Sequence, residues 1–343
     1  MTSRRVFLAS GGAAAALFAG SASLAAGADP TFRTRRIDVH HHLLPPPYVD
    51  LMGDALRKQA PDFAFVLQQW SPARSLEAMD GAGIATAITS LSTPGVFAGD
   101  VAAARKLARA CNEYAAGMAR DHAGRFGFWA TLPMPDVEGS LAEIAYAFDV
   151  LKADGIGFLS DYGDRWLGDP AFAPVFDELH RRKAIAFVHP SVANCCRALV
   201  PGVPPAVAEF VFDTTRTIVS LLFSGTLTRC SGIRFIFPQD GGTMPMIADR
   251  IAHSVRPELA ATMPNGPMGE LQKLYFDVAT STSKSGLDAL LGLVSADRVM
   301  FGTDYPFLPT AFTAGGFDRA QLSDADKAAI NRLTAARLLP RYA

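Results

Sequence analysis

The sequence predicts a single (β/α)8 barrel, and three observations carry that reading. Short apolar runs of strand character alternate with stretches of helical periodicity almost to the C-terminus. Eight such runs occur, with no internal repeat and no low-complexity linker between them. The length also fits: without an N-terminal leader about 315 residues remain, roughly 60 more than the ~250 of a typical barrel.

The predicted strands are Ile37–Val39, Thr86–Leu91, Arg125–Ala130, Gly155–Leu159, Ile185–Val188, Ile233–Phe237, Leu274–Asp277 and Val299–Phe301. Helical periodicity fills the intervals, for example over Val101–Arg120, Ser140–Ala153, Phe172–Arg182 and Phe212–Ser224. Most of the surplus length falls in Pro45–Arg74, after the first strand. An insertion there is expected to form a lid or one wall of a pocket. Its Arg57, Phe65 and Trp70 are candidate pocket residues, and Trp166, after the fourth strand, is a comparable one.

The 343 residues carry a net charge of −1, with 49% hydrophobic and 19% charged residues. That is an ordinary globular balance, without the basic excess of a nucleic-acid binder. Residues 1–28 differ in kind. Arg4 and Arg5 precede Phe7-Leu8, a weakly apolar Ala/Gly stretch and a small-residue end. This resembles a twin-arginine export signal cleaved after Ala26 or Ala28, so the expected location is the periplasm. Loss of the two arginines takes the net charge from −1 to −3. No other run approaches the ~20 apolar residues of a membrane span. Cys111, Cys195, Cys196 and Cys230 form no disulfide framework, and free thiols are expected.

Candidate chemistry begins at "IDVHHHLLPPPY", residues 37–48. Side chains on a strand alternate, so His40 and His42 share a face while His41 points to the helix layer. Their backbones stand roughly 6.6 Å apart, a gap two inward imidazoles can close onto one ion. His189 follows the fifth strand and Asp304 lies just past the eighth. Strand C-termini converge on one mouth in this fold, so these four residues form a nitrogen/oxygen metal site. Zn²⁺ suits it best, with Mn²⁺, Fe²⁺ and Co²⁺ as alternatives. Asp38, on the same face by strict alternation, has two readings: orienting a ligand imidazole, or binding backbone amides.

These residues carry a resemblance. The chain is similar to amidohydrolase-related proteins of the aminocarboxymuconate-semialdehyde decarboxylase-like family, from Ile37 to Arg341. "DVHHH", "MDGAGI", "RFGFWATLP", "FVHP", "DTTR", "DGGTMP", "DRI" and "FGTDYPF" occur in the family's order. The resemblance implies a barrel with one divalent ion held by His40, His42, His189 and Asp304, in an oligomer built from dimers. It implies non-oxidative decarboxylation of a small aromatic or unsaturated acid. Metal-dependent hydrolysis of a lactone, ester or amide is a rival reading, and ligand binding without turnover is another. "GFLSDYGD" offers no lysine or glutamate for a second metal at the end of the fourth strand. Arg250 in "IADRI" matches a position that can meet a substrate carboxylate, sometimes across a subunit interface.

The sequence also departs from the family pattern. Where the family has His-x-Gly-Gly after the sixth strand, residues 239–242 read Gln-Asp-Gly-Gly. Gln239 has no useful pKa and cannot serve as a general base. Either proton transfer passes to Asp304 or Asp240, or Gln239 orients substrate beside the metal, or turnover is lost. Thr334 replaces a usual Asn, a smaller departure.

Overall fold

The structure is a computed structural model that describes residues 35–59, 64–197 and 199–343. The proposed export signal lies outside the described residues, as do residues 60–63 of the insertion. Eight parallel strands form one sheet in sequence order: β1 Arg36–His42, β2 Ile84–Ser90, β3 Phe126–Thr131, β4 Gly155–Leu159, β5 Ile185–His189, β6 Arg234–Phe237, β7 Tyr275–Asp277 and β8 Val299–Met300. The barrel closes past the end of β8. The Phe301 carbonyl accepts from Val39 N–H (3.0 Å), and the His40 carbonyl accepts from Asp304 N–H (2.8 Å). That closure sets Asp304 beside β1.

The helices outside the barrel begin with α1 Pro46–Gln59, inside the expected insertion, and α2 Pro72–Gly81, which starts at its end. Then come α3 Val101–Asp121, α4 Val137–Tyr146, α5 Ala173–Arg182, α6 Pro205–Phe223, α7 Met244–His253, α8 Lys284–Leu293 and α9 Thr310–Arg319. Side-chain caps start several of them: Ser71 on α2, Asp100 on α3, Asp136 on α4 and Ser283 on α8 each accept a first-turn N–H. Helix α6 starts seven residues before its expected Phe212. Pro205 takes the first helical position, where its missing N–H costs nothing.

The lower interior of the barrel is apolar. Ile37, Val39, Ile88, Trp129, Ile185, Phe187, Ile236 and Met300 pack together, and Ala335 and Leu339 from the C-terminal segment close the floor. Trp129 Nε1–H donates to the Val39 carbonyl (2.9 Å), so the one polar atom of that ring is satisfied inside the core. Truncating Leu339 to Ala costs ~2–5 kcal/mol by cavity formation. The four thiols are free, as expected. Thr334 is buried, and its hydroxyl donates to the Ala296 carbonyl (3.2 Å). Among the described residues no helix is long and apolar enough to cross a membrane.

Candidate active site

Strand β1 delivers His40 and His42, β5 ends on His189, and Asp304 follows β8. One ligating atom from each lies within 4.8 Å of the others. Ring centroids of the three imidazoles stand 4.8–5.4 Å apart, edge to face. Gly302 permits this packing: a Cβ there would lie 2.8 Å from His40 Cβ and 3.0 Å from Asp277 Cγ.

The hydrogen bonds fix the tautomers. Each Nδ1 faces an acceptor: the Asp277 carboxylate for His40 (3.0 Å), the Ser90 carbonyl for His42 (3.1 Å) and the Pro190 carbonyl for His189 (2.7 Å). A carbonyl cannot donate, so Nδ1 carries the proton and Nε2 the lone pair. His42 Nε2 lies 3.0 Å from Asp304 Oδ1, and His40 Nε2 lies 3.3 Å from the same oxygen. His40 Nε2 is buried without a hydrogen-bond partner. Lone pairs and a carboxylate converging on one point repel unless a cation stands between them. The donor set therefore fits a divalent ion.

Electrostatics agree. Burial opposes a charged His40, but the Asp277 and Asp304 carboxylates outweigh it and carry its pKa up to about 10. Burial lowers His42, and lowers His189 well below the ordinary imidazole value. For Asp304 burial raises the pKa, yet His40 overrides it and holds the carboxyl well below its usual range. A proton on His40 and a metal ion are alternative occupants of one place, so metal binding releases that proton.

His41 and Asp38 resolve the opening motif. His41 Nδ1 pairs with Asp38 (3.0 Å), Nε2 meets the Ser75 hydroxyl on α2 (3.2 Å), and the ring stacks on Tyr305. It packs between strand and helix layer and takes no part in the cluster. Asp38 is not a partner of a ligand imidazole. The β1 register shifts between Asp38 and His41, which breaks strict alternation. Its carboxylate instead accepts from the His40 and Thr303 amides and the Thr303 hydroxyl. The side-chain partner of His40 in the cluster is Asp277, which sequence reasoning missed. It also accepts from the Gln239 and Ala279 amides. A carboxylate ending the seventh strand in "YFDVA" was the available signal.

A cavity of about 290 Å³ opens above the cluster. Leu56 from α1, Val207 and Phe210 from α6, and Phe307 and Leu308 after β8 form apolar walls, with His189, Gln239, Thr280 and Asp304 at its base. Among the described residues neither lysine nor arginine lines it. Gln239, Thr280 and Asp304, which follow three successive strands, all have left-handed φ, at +54°, +60° and +63°. Non-glycine residues avoid this region, so the cavity base carries backbone strain at all three positions.

Other sequence-predicted residues stand elsewhere. Asp240 is buried outside the cavity lining, with Gly286 of α8 at its carboxylate, and neither of its oxygens has a hydrogen-bond partner. Burial pushes its carboxyl up to about 8. The left-handed run that turns Gln239 into the cavity leaves its neighbour outside. Trp166 is no cavity residue either: its Nε1–H donates to Asp213 on α6 (2.8 Å). Trp70 packs against the core near Tyr114, away from the cavity. Arg250 is exposed on α7, outside this chain's cavity. Arg57 pairs with Asp54, and Phe65 is exposed. The insertion's contribution to the wall is Leu56.

Comparison with known proteins matches this arrangement to a family. The amidohydrolase family model covers residues 37–341. The decarboxylase yanB of Aspergillus niger is 36% identical over 329 residues, spanning 90% of this chain and 88% of that one. The 6-methylsalicylic acid decarboxylase acuB of Aspergillus aculeatus is 33% identical, spanning 80% of this chain and 85% of its own. A dihydroxybenzoic acid decarboxylase from Polaromonas sp. JS666, solved with manganese and 2-nitroresorcinol, has the same fold: TM-score 0.78, 21% identity, 90% of this chain and 97% of that one. Barrel, strand-end cluster and full-length sequence match coincide, and the chain belongs to the amidohydrolase family.

Proposed function

We propose that this protein is a metal-dependent, non-oxidative decarboxylase of small aromatic acids that carry a hydroxyl ortho to the carboxylate. The carrying observation is the contrast inside the cavity. Three Nε2 lone pairs and the Asp304 carboxylate converge at its base, while its walls are apolar and hold no cationic side chain. Recognition of a carboxylate then falls to a cation in the cluster, and Phe210, Phe307, Leu56 and Leu308 suit the flat apolar ring. The yanB and acuB relatives, both decarboxylases by name, support the same reading.

A single divalent ion held by His40, His42, His189 and Asp304 would supply Lewis-acid attraction for the carboxylate and its neighbouring oxygen. The nitrogen/oxygen donor set suits Zn²⁺ and Mn²⁺, and the Polaromonas structure makes manganese the metal to test beside zinc. Asp304 and His189 are the titratable side chains lining the cavity. The Nδ1–H of His189 is committed to the Pro190 carbonyl, so proton transfer falls to Asp304. Its carboxylate accepts the ortho-hydroxyl proton and returns it to the ring carbon bearing the carboxylate. The C–C bond breaks, CO₂ leaves, and the resulting phenolate takes a proton from water. Gln239 holds the substrate oxygen by its amide.

The test is CO₂ release by protein loaded with either metal, on benzoates with and without an ortho hydroxyl. Release only from the hydroxylated acids supports the reading; opening of lactones without CO₂ would replace it. Export by the twin-arginine route is proposed on Arg4 and Arg5. If the Arg4→Lys/Arg5→Lys precursor still reaches the periplasm of a strain lacking that translocase, export by this route is wrong. A homo-oligomer is proposed with it, and sedimentation tests that.

A further inference from the structure

A second cavity, of about 370 Å³, opens beside the first on the same face of the barrel. The loops after β2, β3, β4 and β5 build it, and Thr93 lines both cavities. Its chemistry is the reverse of its neighbour's. Arg165, Arg197, Asn194 and Tyr162 line it, together with Asp161. Among the described residues neither Arg165 nor Arg197 has a carboxylate partner. The Arg165 guanidinium lies 5.2 Å from the Phe172 ring centroid and both arginines are exposed. Asp161 is engaged, accepting from the Ser191 hydroxyl. Two guanidiniums without a carboxylate partner thus share this cavity with one carboxylate that is already bonded.

The chain as a whole does not attract an anion, since its net charge is −1. Charge that is local, unpaired and next to the reaction cavity acts within about a Debye length of ~8 Å at physiological salt. We propose that this second cavity is an anion-docking subsite, in which Arg165 and Arg197 hold the carboxylate of an aromatic acid before it passes Thr93 into the reaction cavity. The inference rests on the decarboxylase reading for the identity of the acid. The fork of a guanidinium suits a carboxylate, and capture at the rim supplies the substrate to a cavity whose own walls carry no positive side chain.

The experiment pairs kinetics with binding. Arg165→Ala/Arg197→Ala should lower kcat/KM for the acid about tenfold at low salt, the lower end of the ~10–10³ range of electrostatic steering. The loss falls on kcat/KM rather than kcat. Added salt should depress wild-type kcat/KM and leave the variant flat, and Arg165→Lys/Arg197→Lys should restore most of the salt dependence. In parallel, equilibrium dialysis of benzoate against metal-stripped protein should show binding that the alanine pair loses and the lysine pair keeps. Unchanged benzoate binding in the alanine pair overturns the subsite, as does a kcat/KM within twofold of wild type with the same salt slope. If no acid yields CO₂, the functional reading fails by itself, and the dialysis still judges the subsite.

Discussion

The base of the reaction cavity and its walls are built from different material. His40, His42 and His189 stand on strands, Asp304 follows β8, and each imidazole is locked through Nδ1 by a buried carboxylate or a main-chain carbonyl. Leu56, Val207, Phe210, Phe307 and Leu308 come from helices and loops that only pass over the mouth. The base is rigid because the barrel's hydrogen bonding holds it, down to the His40 carbonyl that accepts the Asp304 amide. The walls depend on packing, so they can change without disturbing the cluster. In the proposed reaction the first set would carry the chemistry and the second would choose the substrate.

The comparison predicts its largest effect in the base. His40→Ala or His189→Ala should abolish metal retention, measured by elemental analysis of purified protein expected to hold about one ion per chain. His41→Ala should keep the ion, since its ring bonds Asp38 and Ser75, while unfolding falls by ~1–3 kcal/mol from the broken buried hydrogen bonds. Full metal in both ligand variants would remove the cluster from the account.

Asp277→Asn comes next. It preserves shape but removes the charge that orients His40, so metal affinity should fall ~10–100-fold. A chelator competition reads this directly, and an unchanged affinity would make Asp277 a structural residue only.

Asp240→Asn separates burial from catalysis. The folded-state pKa of Asp240 is raised to about 8, above the unfolded carboxylate value of 3.8. Between those limits the native chain holds a proton that the unfolded chain has released, so this residue makes stability decline as pH rises from 4 to 8. The amide removes that decline. Denaturant melts should show the variant more stable at pH 8, by on the order of a few kcal/mol, and indistinguishable near pH 4. CO₂ release should be little changed, because Asp240 lies outside the cavity. A variant with wild-type pH dependence would contradict the burial argument.

The smallest effect is expected at Gln239. With Asp304 moving the proton, Gln239→His should leave kcat unchanged or lower it through competition for the metal. A rise of ~10²–10⁴-fold, the usual contribution of a general acid or base, would show that the wild-type site is an impaired one.

The strands and the four cluster residues were legible because period-2 alternation and converging strand ends are properties of the chain itself. Even there the β1 register shift was hidden, and it moved Asp38 from His40's side to His41's. Asp277 escaped because its role depends on the Asp277–His40 contact across the barrel, between residues 237 positions apart. Trp166, Trp70 and Arg250 show the opposite failure. Residue type suggested recognition, but partners on neighbouring elements decide where loop and helix side chains point. Asp213 takes the Trp166 indole, the core takes Trp70, and α7 leaves Arg250 at the surface.

The central claim is that Asp304 relays a proton in a metal-dependent decarboxylation. Its most direct test is solvent-deuterium incorporation and CO₂ release from an ortho-hydroxybenzoate, comparing wild type with Asp304→Glu and Asp304→Asn, each at matched metal content. The account predicts one deuterium at the vacated ring carbon for wild type, residual turnover for the glutamate variant, and turnover reduced by at least ~10²-fold for the amide. Wild-type rates in a fully metallated Asp304→Asn variant would contradict it.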